Sequence, residues 1–128
     1  MKRVMVVFLV AVLALGLLGT AGVASAKEGK VVKTGSCSDQ STWKLKLTPD
    51  NAKIEADFEV DQNVVGDTWK VVMRHNGAVF FRGQRTTEAP SGSFDVSKKV
   101  HDASGTDRFV AKATNLSTGE VCKGTSTF

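Results

Sequence analysis

Asn76-Gly77 lies between two runs of apolar β-formers, residues 67–75 and 78–87. A type I′ turn needs φ > 0 at both central residues, which Asn and Gly tolerate. Flanked in this way, the pair is the strongest short-range hairpin signal a sequence carries. With Asn76-Gly77 as a two-residue loop, His75 faces Ala78, Met73 faces Phe80 and Val72 faces Phe81. Trp69, Val71, Met73 and Phe80 then share the core side. Arg82 falls on that inward parity, and a bulge near Gly83 would exchange the faces, because one residue of slip turns every side chain over.

The rest of the chain has the same period of two. In 42–48, Trp43, Leu45 and Leu47 point one way and Lys44 and Lys46 the other. In 53–61, Ile54, Ala56, Phe58 and Val60 alternate with Glu55, Asp57, Glu59 and Asp61. A turn at Pro49-Asp50-Asn51 would set Thr48 opposite Lys53, Lys46 opposite Glu55 and Lys44 opposite Asp57. Further strands are expected at 92–100, 106–114 and 119–127, and no stretch beyond residue 26 has a helical period. About seven short strands with regular turns predict an all-β fold, a single two-sheet antiparallel sandwich.

Lys2 and Arg3, an apolar run over 4–18 and Ala24-Ser25-Ala26 match the three parts of a signal peptide. Residues 1–26 are therefore expected to be removed, leaving a flexible leader at 27–36 and the sandwich at 37–128. Localisation is then secreted, with no membrane segment in the mature form. Removing Lys2 and Arg3 lowers the formal charge from +4 to +2, and no run of like charges forms a nucleic-acid arm. Outside the cytoplasm the two cysteines, Cys37 and Cys122, read as one disulfide. His75 and His101 lack metal-ligand spacing, so no metal or cofactor is expected. Asn115-Leu116-Ser117 is a glycosylation sequon, expected to be a chance match in a turn.

Two resemblances add to this. Trp69 on the third expected strand, and Asp107-Arg108-Phe109-Val110-Ala111-Lys112-Ala113 on the sixth, resemble immunoglobulin and fibronectin type III sandwiches. Phe109 stands where those families carry tyrosine, and the disulfide would tie the first strand to the last rather than the second to the sixth. Ser36-Cys37-Ser38, Thr42-Trp43-Lys44-Leu45, Ala89-Pro90-Ser91-Gly92-Ser93-Phe94 and Gly119-Glu120-Val121-Cys122 resemble small secreted actinobacterial proteins of unassigned activity. The first resemblance implies an immunoglobulin-like architecture; neither implies an activity.

Catalytic motifs are sparse. Gly-x-Ser-x-Gly is missing, and His101-Asp102 is at most half of a triad. Both tryptophans have inward parity, which leaves no aromatic platform for sugar rings. One surface stands out. The outward side of the hairpin carries Lys70, Val72, Arg74, Phe81 and Arg85, and the adjoining sixth strand adds Arg108 and Lys112. Its five positive charges and apolar centre fit an anionic partner, either an extracellular protein or an anionic cell-envelope polymer. The expected function is a monomeric, secreted, non-catalytic binding module. The alternative is a structural or inhibitor-like protein acting through loop 87–93, and a hydrolase comes third.

Overall fold

The computed structural model describes residues 29–128; the signal peptide read at 1–26 lies outside the described residues. Eight strands run in the order β1 (Val31–Ser36), β2 (Thr42–Asp50), β3 (Lys53–Asp61), β4 (Thr68–His75), β5 (Ala78–Thr86), β6 (Ser93–His101), β7 (Arg108–Asn115) and β8 (Val121–Thr127). They form two four-stranded sheets, β1-β2-β3-β6 and β5-β4-β7-β8, and every pairing is antiparallel. The all-β sandwich is the fold that the alternation predicts. The inward residues of both sheets, among them Leu45, Leu47, Ile54, Phe58, Trp69, Val71, Met73 and Phe109, form one buried core.

Three expectations need correction. Val31–Ser36, read as part of a flexible leader, is an edge strand whose six residues pair with 42–47 of β2. Its Gly35 sits opposite Trp43 because the indole occupies the space where a side chain would go. The sheet thus needs a small residue there, and a short polar stretch supplies it.

The β2–β3 register differs by two residues from the expected one. The turn is Asn51-Ala52, with Asn51 at φ 55°, so Thr48 faces Glu55, Lys46 faces Asp57 and Lys44 faces Glu59. Pro49 is tolerated inside β2 because β1 pairing ends at Leu47, leaving no ladder bond there for its missing N–H. A two-residue shift keeps both faces, so the core prediction survives while the charge pairs change.

The third correction concerns β5. His75 faces Ala78 and Arg74 faces Val79, but the register then shifts, and Met73 faces Phe81. Phe80 is the extra residue of a bulge. Strict alternation would put Phe81 in water and the Arg82 guanidinium inside. The bulge turns Phe80 and Phe81 both inward, where they pack against the core, and Arg82 becomes exposed. Both rings are partly buried, and half-burying a phenylalanine is worth about 1 kcal/mol. Gly83 makes the arrangement fit, since a Cβ there would lie 3.0 Å from the Phe81 ring.

The two open sides of the sandwich are closed differently. On the β1/β8 side, the Cys37–Cys122 disulfide links the end of β1 to β8, with Cα atoms 4.3 Å apart. The buried Glu120 carboxylate reinforces it, accepting the Asp39 and Ser41 N–H groups at 3.0 and 2.9 Å and the Ser41 hydroxyl at 2.5 Å. On the β5/β6 side, the Phe81 ring lies beneath two cations, the Arg85 guanidinium at 5.0 Å and the Lys98 ammonium at 5.5 Å.

Candidate docking face

The register of β5-β4-β7-β8 determines what its outer surface presents. Reading across β5, β4, β7 and β8, one row is Gln84, Lys70, Thr114, Val121. The next is Arg82, Val72, Lys112, Lys123, and the third is Val79, Arg74, Val110, Thr125. Arg108 opposite Thr127 begins the fourth. The face therefore carries six cations, Lys70, Arg74, Arg82, Arg108, Lys112 and Lys123, all exposed. Among the described residues no carboxylate shares the face, and none of the six cations forms an ion pair. Val72, Val110, Arg74, Lys112 and Lys123 line a depression of about 400 Å³ on this face, the two valines half-buried and the three cations exposed.

Of the residues selected from sequence, Lys70, Val72, Arg74, Arg108 and Lys112 share this face. Phe81 and Arg85 do not. The bulge at Phe80 carries both to the inner side, where Phe81 faces Met73 and Arg85 faces Trp69. Arg82 and Lys123 take their place, and the sequence reading missed both. Arg82 was hidden by the unrecognised bulge. Lys123 was findable, because it alternates with the buried Cys122 and Gly124 on the last strand.

The opposite outer face mixes the signs, with acids outnumbering lysines. Glu55, Asp57, Glu59 and Asp61 on β3 adjoin Asp95 on β6. Lys44 approaches Glu59 at 3.9 Å and Lys99 approaches Asp50 at 2.6 Å. Asp57 sits in the middle. Partial burial raises its pKa above the usual 3.8, and Asp95, Glu59 and Glu55 push the same way against Lys46. Because the folded pKa is the higher one, this carboxyl favours folding at low pH, and the benefit is lost as pH rises through that value. Asp57→Asn is therefore expected to raise Tm at pH 7, with the gain disappearing below about pH 4. Thermal melts at the two pH values check this; an equal gain at both would contradict it.

The ends of the sandwich carry clusters of hydrogen-bonded polar groups. His75, not His101, has the carboxylate partner. Its Nε2 meets Asp107, whose side chain is fully buried and also accepts the Ala103 N–H at 3.1 Å. The imidazole stacks on Phe109 with ring centroids 4.8 Å apart, so the pair ties the β4–β5 turn to the 102–107 loop. His101 is exposed at the end of β6, opposite Lys53. At the other end, Trp69 Nε1 donates to Gln62 Oε1 at 2.9 Å, and Gln62 Nε2 donates to Asp67 at 2.6 Å. Asn115 Nδ2 donates to the same carboxylate at 3.0 Å. These two amide donors, Asn115 first and Gln62 second, hold the Asp67 carboxyl below its usual pKa. Asn115 Oδ1 accepts the Ser117 and Thr118 N–H groups, and the residue is 1% exposed. The sequon therefore presents no accessible acceptor and acts as a turn cap.

Loop 87–93 is held in place rather than loose. Thr87 is buried, Glu88 bridges to Ser93, and Gly92 at φ 69° abuts the Val64 backbone where a Cβ would collide at 2.4 Å. Ala89, Pro90 and Ser91 remain exposed at its tip. No protein-family model, curated protein or solved structure matches the chain.

Proposed function

We propose that this is a secreted, non-catalytic extracellular binding module that docks an anionic partner on the outer face of β5-β4-β7-β8. One observation carries the reading: six exposed cations share a face that has no carboxylate among the described residues. Lysines and arginines that serve only solubility are interspersed with acids, as on the opposite face. Segregation by sheet instead gives a surface whose potential selects anions. Secretion rests on the three-part leader at 1–26 and on the disulfide, which persists in oxidising compartments. The immunoglobulin-like likeness and the actinobacterial origin belong to this proposal too, carried by the sequence segments that suggest them.

The test is co-sedimentation of the oxidised protein with anionic cell-envelope material across a salt series. Binding is expected to weaken steadily with salt and to fall at least ~30-fold in Lys70→Glu/Arg74→Glu/Lys112→Glu, if each of these three contributes about 1 kcal/mol. Undiminished binding by that variant, folded by circular dichroism, rules the face out. The inhibitor-like alternative rests on the exposed tip at Ala89-Pro90-Ser91. It predicts loss of partner capture when 89–91 are replaced and none when the face is reversed.

A further inference from the structure

The cations are not scattered evenly over the face. Four of them follow the seam between β4 and β7 on alternating sides: Lys70, then Lys112, then Arg74, then Arg108. Each is one row beyond the last, a step of about 7 Å along the strands. Thr114, Val72 and Val110 fill the intervening seam positions. Arg82 and Lys123 lie one strand to either side. The four form a line rather than a ring, and the line lies on an apolar floor.

We infer that this seam takes a linear polymer of phosphodiesters joined by short polyol bridges, lying parallel to β4 and β7. The inference rests on the docking reading above and specifies its partner. A linear array of single cations at even spacing matches a chain carrying one negative charge per short repeat. The valine floor matches the aliphatic bridges between the charges. Other polyanions fit less well. Single-stranded nucleic acid is held by aromatic side chains on which bases stack. Among the described residues this face has no aromatic side chain, since the bulge turns Phe80 and Phe81 inward. A neutral sugar polymer would call for the same kind of platform. A bilayer surface favours apolar side chains that project beyond the charges, whereas Val72 and Val110 are half-buried and the cations beside them are exposed.

The experiment titrates the oxidised protein with a poly(glycerol phosphate) chain of about ten repeats, read by calorimetry at several salt concentrations. Engagement of the four seam cations predicts a slope of log K against log salt of about −3. Two charge-matched variants separate the seam from the face. Arg74→Glu/Lys112→Glu reverses two seam positions and is expected to cost at least ~30-fold, with the slope falling to about −1.5. Arg82→Glu/Lys123→Glu makes the same change in net charge off the seam and is expected to weaken binding only through the general potential of the face, at least ~5-fold less than the seam variant. Equal losses from the two variants would overturn the seam and leave the docking face standing. Loss from neither, or no binding by the unaltered protein to any polyanion, would overturn both. Tighter binding to poly-glutamate, to a single-stranded oligodeoxynucleotide or to phosphatidylglycerol vesicles would overturn the phosphodiester assignment.

Discussion

Replacing Cys37 and Cys122 together by alanine is expected to lower the unfolding free energy by about 4–5 kcal/mol. The bridge spans a sequence separation of 85 residues, which encloses nearly the whole sandwich. In a chain-entropy account, cross-linking so long a loop removes many conformations from the unfolded chain. The native sheet is expected to survive the change. Ser38 N–H still donates to Val121 O at 2.8 Å, Val121 N–H still donates to the Ser38 hydroxyl at 2.9 Å, and Glu120 still caps the 37–41 loop. Domains of this size have a total stability of about 5–15 kcal/mol, so the variant should be marginal at 37 °C. Chemical denaturation of the oxidised protein and the double variant measures the difference. A loss below ~1 kcal/mol would mean that the unfolded chain is already compact around this closure.

Gly124→Val is expected to cost about 2–3 kcal/mol, from overpacking rather than from lost contacts. The Trp43 indole covers two backbones. A Cβ on Gly35 would lie 2.6 Å from it, and a Cβ on Gly124 would lie 2.8 Å from it. Gly35 is on β1 and Gly124 on β8, so one side chain spans the gap between the sheets beside the disulfide. Neither glycine has a positive φ, so the requirement is space and not backbone conformation. The expected signature is therefore coupling. In Gly124→Val/Trp43→Leu the added methyls enter the room the indole leaves. The double variant should be more stable than the sum of the single effects by at least ~1 kcal/mol. Strict additivity in thermal melts would show that the indole moves aside freely.

The fold was readable because its strands alternate. Most of the strands, the inner faces of β2, β3, β4, β6 and β7 and the Trp69 core follow from period two, and they survive a two-residue error at Asn51-Ala52. The limits have the same origin. Alternation reports parity and not pairing, so the Lys46 partner was assigned as Glu55 when it is Asp57. Alternation also misleads where a strand breaks it. Phe80-Phe81-Arg82 cannot satisfy one face without a bulge, and that single extra residue decides whether Phe81 and Arg85 belong to the surface or the core. The clue lay in Arg82 at an inward parity. Its resolution needed the neighbouring sheet, where Lys98 supplies a second cation over the Phe81 ring. His75 and Asp107 likewise lie 32 residues apart, a separation that no local pattern bridges.

The opposite net signs of the two outer faces have a consequence before any contact is made. With acids outnumbering lysines on one outer face and six cations, unpaired among the described residues, on the other, the molecule carries a charge dipole running through the thickness of the sandwich. Its small net charge gives little long-range pull. Its dipole gives a torque, so near an anionic surface the protein turns the β4/β7 sheet forward while still diffusing. Orientation raises the share of encounters that are productive without tightening the complex once formed. Association rates should therefore fall with ionic strength more steeply than the net charge alone would require.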